Sequence, residues 1–249
     1  MAALLSLSAC DSEENDEETP DFYRIPVSVV TDMTGATTFL ADNDAVLRPT
    51  NLSQMSGLKS LKRALISFSL TSGSLEVKSG GEYPIVLSTN SAHHAQIPTF
   101  DTWVDTSTEE YKTNGADSLA QHTTHINYYK QSGEPYVQNG YLNLMPTFDY
   151  STTCPVYMGI YFDSENGVVA QKGEASATID LYFDDGSDLA LYSITTQVSI
   201  MMPDVLYDQM RAGGLADNDT LSIVFRSATQ NGTETSTLKT TVGDLLLCN

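Results

Sequence analysis

The chain reads as an all-β protein: a small OB-like β-barrel followed by an Ig-like β-sandwich with one short helix. Three observations predict this. Apolar residues alternate with polar ones in short runs, the period of a half-buried strand. Clusters of Asn, Asp, Gly and Ser separate those runs and supply turns. Long stretches of helical period are missing. Charged residues make up only 18% of the chain, so its polar faces must be built from Ser, Thr and Asn.

Residues 22–88 form the expected barrel. Ile25, Val27 and Val29 face one way, and Arg24, Pro26 and Ser28 the other. Further strand-like segments follow at Thr37–Leu40, Ala45–Arg48, Ala64–Leu70, Leu75–Val77 and Tyr83–Leu87. In the third of these, Ile66, Phe68 and Leu70 alternate with Ser67 and Ser69, the pattern of a half-buried strand. Asp42-Asn43-Asp44 and Ser79-Gly80-Gly81 read as turns. About five or six short strands over this length fit a small barrel.

Residues 89–249 form the expected sandwich. Its opening part, 89–138, alternates weakly and holds His93-His94 and Tyr128-Tyr129, as a junction with long loops would. From Asn139-Gly140 the strand pattern returns: Leu142 and Leu144, then Tyr157–Phe162, Ile179–Phe183, Leu189–Ile200, Leu221–Phe225 and Ser236–Val242. Asn231-Gly232 predicts a type I′ hairpin joining Leu221–Ala228 to Glu234–Val242, because both turn residues tolerate positive φ. The helix is expected from Pro203 to Gly213-Gly214, with Leu206 and Met210 on its buried face. About seven strands with a helical crossover read as a β-sandwich.

The formal net charge is −20, from 32 acids against 12 bases. Phosphate binding needs clustered Lys and Arg, so this balance excludes nucleic acid as a partner. It also excludes electrostatic docking on anionic lipid. No apolar run reaches the ~18–20 residues of a membrane-spanning helix.

The N-terminus carries the clearest signal. Leu7-Ser8-Ala9-Cys10 matches a lipobox and resembles bacterial lipoproteins, in which the cysteine thiol is diacylated. Cys10 is the candidate lipidation site. The run before it lacks Lys and Arg and is shorter than a secretory signal, so a longer signal peptide is expected. Seven of the eleven residues from Asp11 to Asp21 are carboxylates. Such a run cannot be buried and repels itself into an extended tether. It also resembles the surface-export signal of Bacteroidetes lipoproteins. Residues 1–21 are therefore a signal remnant and acidic tether, and Thr19-Pro20 marks the start of folded chain.

A wider resemblance rests on Val46-Leu47-Arg48-Pro49-Thr50, Lys62-Arg63-Ala64-Leu65-Ile66-Ser67-Phe68, Asn139-Gly140-Tyr141-Leu142-Asn143-Leu144, and Val198-Ser199-Ile200 ahead of the helix, with Leu221-Ser222-Ile223-Val224-Phe225 beyond it. Together these resemble the NigD-like lipoproteins of Bacteroidetes, across most of residues 22–245. The resemblance implies an OB-like barrel followed by a β-sandwich. It implies no enzymatic activity, and the family name points to a bacteriocin gene cluster.

Catalytic chemistry finds little support. His93, His94, His122 and His125 do not form HExxH, and zinc needs three or four convergent ligands. Asp42-Asn43-Asp44, Asp184–Asp188 and Asp217-Asn218-Asp219 lack EF-hand spacing and read as turns. There is no G-x-S-x-G motif, no glycine-rich phosphate loop and no motif around Cys154. No metal, cofactor or catalytic residue is expected. Cys154 and Cys248 could pair in an oxidising compartment or stay as buried thiols. Trp103, Tyr111, Tyr128 and Tyr129 could form a stacking platform for a glycan or an anchor for a protein, or Trp103 could be core. Asp117-Ser118-Leu119 and Asp219-Thr220-Leu221 resemble an O-glycosylation pattern of Bacteroidetes. Two functions follow: a non-catalytic surface lipoprotein that binds a glycan or protein, or an envelope subunit assembling by strand addition through Thr240–Cys248.

Overall fold

The computed structural model describes residues 23–71, 76–100, 102–104, 134–150, 157–184, 192–229 and 232–246. Strands β1 (Tyr23–Thr31), β2 (Thr37–Ala41), β3 (Val46–Pro49), β4 (Arg63–Leu70) and β5 (Glu82–Leu87) make the first unit. They pair in the order β1-β2-β3-β5-β4, and β4 pairs back onto β1, closing a barrel. All five pairings are antiparallel except β3 with β5. This is the OB-like barrel expected from the alternation. Val77 lies outside any strand, so Leu75–Val77 supplies none among the described residues.

The pleat places Val27, Phe39, Leu47, Ile66, Phe68, Ile85 and Leu87 inside the barrel, each at most 1% exposed. Two 3-10 turns, Leu52–Gln54 and Ser56–Ser60, connect β3 to β4, and Leu58 from the second packs into the same core. Asn51 extends the parallel β3–β5 ladder with its side chain. Its Nδ2 donates to the Leu87 carbonyl at 2.9 Å, and its Oδ1 accepts from the Leu87 amide at 2.8 Å.

After the five barrel strands come β6 (Ala95–Gln96), β7 (Thr99–Phe100), β8 (Thr102–Val104), β9 (Tyr136–Gln138), β10 (Tyr141–Leu144), β11 (Thr147–Tyr150), β12 (Tyr157–Phe162), β13 (Val168–Gln171), β14 (Glu174–Asp184), β15 (Tyr192–Thr195), β16 (Val198–Met201), α1 (Asp204–Ala212), β17 (Thr220–Thr229) and β18 (Gly232–Thr241), and all but β6 belong to the second unit. β6 stays with the barrel, on β4. One sheet runs β7-β16-β10-β9 and another β18-β17-β14-β12-β8, with β13 paired to β14. Their facing residues, among them Leu142, Ile160, Phe162, Ile179, Ile200, Ile223 and Phe225, build a second core. Three pairs are parallel: β7–β16, β8–β12 and β14–β17. The sheets are therefore mixed, whereas immunoglobulin sheets are antiparallel.

Several expectations shift in detail. The weakly alternating junction contributes β6, β7, β8 and β9, each two or three residues long and too short to show a period. The expected single strand Leu189–Ile200 is two, β15 and β16, separated at Thr196-Gln197. Thr229 pairs with Gly232, so Gly232 belongs to the strand of the last hairpin and not to its turn. Asn139 and Gly140, with φ of 53° and 76°, form instead the two-residue turn between β9 and β10.

Helix α1 matches expectation: Leu206 and Met210 are fully buried. Asp204 in the first turn and Arg211 in the last complement the helix dipole. The strand pair β11–β15 continues the register of β10–β16, since Leu144 faces Val198 and Thr147 faces Thr195. It forms a separate two-stranded arm beyond the sandwich sheet.

Candidate functional site

The most concentrated buried chemistry lies where the barrel meets the sandwich. Arg63 opens β4 opposite Ser28 of β1, on the outer face of the barrel. It is nevertheless 0% exposed, because Asn143 of β10 and Ser199 of β16 cover it. Those two residues face each other in the sandwich sheet and point away from the sandwich core. That sheet is thus covered on both faces, by its own core and by the barrel.

A guanidinium has five N–H donors, and Arg63 engages all of them. Its Nη1 donates to Ser28 Oγ at 3.1 Å and to Asp42 Oδ1 at 2.6 Å. Its Nη2 donates to Asp42 Oδ2 and to Asn143 Oδ1, both at 2.8 Å, and its Nε donates to Ser199 Oγ at 3.2 Å. Ser199 Oγ in turn donates to Asn143 Oδ1 at 2.6 Å. The Tyr141 ring lies 5.4 Å from the guanidinium carbon, in cation–π range. Burial opposes the charge on Arg63, but the Asp42 carboxylate outweighs it and holds the guanidinium ionised. The fork-to-fork geometry is that of a strong, directional ion pair.

The network continues outward. The Tyr136 hydroxyl donates to Asp42 Oδ2 at 2.6 Å. Desolvation of the hydroxyl end, then the Asp42 charge, pushes the phenol of this partly exposed residue well above its ordinary range, so it serves as a donor. Gln138 Nε2 donates to Asp44 Oδ1 at 2.6 Å, and Asn139 Nδ2 donates to the Ala41 carbonyl at 3.5 Å. The β9–β10 hairpin thereby clamps the Asp42-Asn43-Asp44 turn. This cluster binds the two units together; it offers no free acid, base or nucleophile.

Asp44 is the uneasy member of the clamp. Partial desolvation, together with the charges of Asp244 and Asp42, pushes the carboxyl of this exposed residue above the ordinary range. A carboxyl raised in the folded state favours folding when protonated and loses that advantage as pH rises through its folded value. At neutral pH its charge works against the fold. Asp44→Asn keeps an acceptor for Gln138, and Asn tolerates the φ of 63° at this position. The melting temperature of Asp44→Asn should exceed wild type at pH 7 and converge with it below the ordinary carboxylate range. Thermal melts at pH 7 and pH 3 check this.

Other sequence candidates fall in different places. His94 accepts from the Ser67 amide through Nδ1 at 3.3 Å and donates from Nε2 to the Ser88 carbonyl at 2.8 Å. His93 Nδ1 contacts Ser88 Oγ at 2.8 Å. Both histidines fasten the loop after β5 to β4. An open pocket of about 330 Å³ beside them is lined by Met55, Leu58, Leu61, His94, Ala95 and Gln96. Its floor is apolar, and both nitrogens of His94 are engaged. Among the described residues no three His, Cys, Asp or Glu gather as metal ligands.

Asp217-Asn218-Asp219 is a turn, with Asp219 Oδ2 accepting from the Ala216 amide at 2.8 Å. Trp103 sits in β8, opposite Tyr161 of β12, and so in an edge strand where a loop was expected. Cys10, Tyr111, Tyr128, Tyr129, His122, His125, Cys154, Cys248 and Asp117-Ser118-Leu119 lie outside the described residues. Thr220 of the second glycosylation-like pattern is exposed at the start of β17. Sequence reasoning missed Arg63, Asn143 and Ser199. The available signal was small polar residues, not charged ones, at the supposed solvent positions of β10 and β16.

Barrel, sandwich and buried clasp together define a two-unit all-β module whose principal ionic cluster is structural. Comparisons with solved structures support that class. A protein described as toxin-related from Parabacteroides distasonis is similar over 90% of this chain and 96% of its own, with a TM-score of 0.60 and 13% identity. A protein described as a lipoprotein from Bacteroides fragilis is similar over 90% of this chain and 98% of its own, with a TM-score of 0.55 and 12% identity. A NigD-like immunity protein from Bacteroides caccae also matches, over 91% and 94% of the two chains, at 15% identity and a TM-score of 0.48. No family model and no curated protein sequence matches the chain. The shared property is the fold, over nearly the whole length.

Proposed function

We propose that the chain is a NigD-like, lipid-anchored protein of the bacterial outer membrane, displayed at the cell surface as a non-catalytic binding or accessory module. The supporting observation is the use made of its buried chemistry. Two donors of Arg63 reach across to Asn143 and Ser199 of the sandwich while the other three hold Ser28 and Asp42 of the barrel, so this buried chemistry serves to join the two units. The lipobox at Cys10, the acidic tether and the fold shared with a protein described as a lipoprotein agree with this reading. Among the described residues no helix is long and apolar enough to cross a membrane.

The ligand is a glycan or a protein. The acidic surface and an open strand edge favour protein. Assembly by strand addition through Thr240–Cys248 is the weaker alternative, because Val242 and Leu245 are fully buried and Asp244 Oδ2 accepts from the Thr241 amide at 2.9 Å. The test is Cys10→Ser in the native host. Wild type should incorporate labelled palmitate, fractionate with outer membrane and be cleaved by protease added to intact cells. Cys10→Ser should lose the label and the membrane association. Membrane association that survives the substitution would refute the anchor.

A further inference from the structure

Strand edges present unpaired amides and carbonyls, and proteins normally guard long ones with charge, proline or brevity. Most edges here follow that rule. β6, β7, β8 and β9 are two or three residues long, and β18 carries Glu234 and Lys239. The β11–β15 arm does not. Among the described residues β15 pairs only with β11. Its sequence, Tyr192-Ser193-Ile194-Thr195, has neither charge nor proline, and all four residues are exposed.

The register says which groups face outward. The Thr196 amide donates to the Pro146 carbonyl at 3.2 Å across the ribbon. Antiparallel bonding alternates, so the amides of Ile194 and Tyr192 turn toward β11, and those of Ser193 and Thr195 turn toward the outer edge. Tyr192 and Ile194, 52% and 39% exposed, share one face of the strand. The chain is acidic as a whole, with a formal net charge of −20, and Asp149 of β11 stands opposite Ser193 in the register.

We propose that β15 is the docking edge for an extended, cationic segment of a partner protein, which adds as a third strand to the arm. Ser193 and Thr195 supply the backbone bonds, Ile194 and Tyr192 the apolar contact, and the chain's net negative charge, with Asp149 on the paired strand, selects positive charge. The inference rests on the binding-module reading and names its site.

The test measures fluorescence anisotropy of a labelled peptide alternating Lys and Val, added to the full chain. Controls are a Glu-Val peptide and a Lys-Val peptide N-methylated at alternate amides. Ser193→Pro removes an outward donor, and Ile194→Lys places positive charge in the apolar contact without touching the backbone. The Lys-Val peptide should bind saturably, and the Glu-Val peptide should not. Affinity should fall roughly tenfold or more on N-methylation and in each variant, with the unfolding midpoint of Ile194→Lys unchanged. Absence of binding overturns the proposal. So does binding that N-methylation and Ile194→Lys leave intact, which is electrostatic adsorption. A glycan or protein that binds wild type and Ile194→Lys equally removes the arm as the site and leaves the binding module standing.

Discussion

Arg63→Ala should destabilise the protein by about 3–5 kcal/mol, the range for breaking one side of a buried ion pair. The magnitude follows from what remains. Asp42, with a side chain only 11% exposed, keeps its charge and loses its counterion. Ser28, Asn143 and Ser199 keep buried polar oxygens that no longer receive the guanidinium donors. Each orphaned group carries a desolvation penalty of about 1–3 kcal/mol, partly relieved by relaxation or entering water. Arg63→Lys should lie between wild type and Arg63→Ala, since one ammonium cannot serve Asp42, Asn143 and Ser199 in the geometry of a planar fork.

The loss should also change the shape of unfolding. Trp103, the only tryptophan, stands in β8 of the sandwich, so its fluorescence reports that unit, while far-UV circular dichroism reports both. In wild type the two signals should trace one urea transition. In Arg63→Ala they should separate, because the barrel and sandwich cores are distinct and the clasp is the main polar link between them. A loss under about 1 kcal/mol, with coincident transitions, would show that the clasp is incidental.

The same clasp shows where sequence stops being informative. The barrel was legible because its strands have one buried face: Ile66 and Phe68 against Ser67 and Ser69 is a period-two pattern any half-buried strand produces. Helix α1 was legible through Leu206, Met210 and the glycines that end it. Arg63 was not. On one strand it resembles a surface arginine at an outward position, and its burial depends on Asn143 and Ser199, which follow it by 80 and 136 residues. Alternation describes one strand at a time, and contacts between units fall outside it. β7 and β8 were hidden for another reason: at two and three residues they are too short for the two-residue period to repeat. Parallel pairing added to the difficulty, since β14 and β17 are neighbours without any tight turn to announce them. The candidate docking edge could be read only after the register was known, because Leu189–Ile200 looks like one uninterrupted strand.

Gly213→Ala should cost about 3 kcal/mol, at the upper end of overpacking effects. Gly213 follows α1 with a φ of −72°, an ordinary helical value, so backbone freedom does not explain it. Space does. A Cβ there would lie 1.9 Å from the Ala170 carbonyl oxygen and 2.5 Å from its carbon. These are backbone atoms of β13, held by pairing with β14, and they cannot rotate aside. The helix end must lift from the sheet, carrying Leu206 and Met210 out of contacts that now leave both at 0% exposure. The adjacent Gly214 is required for the opposite reason. Its φ is +85° and nothing lies within 4 Å of its absent Cβ, so Gly214→Ala should cost only the ~1–2 kcal/mol of a left-handed alanine. Urea denaturation of the two variants separates the causes. Equal losses, or a smaller loss at Gly213, would mean that α1 is free to move and that its close approach to β13 does not hold the sandwich together.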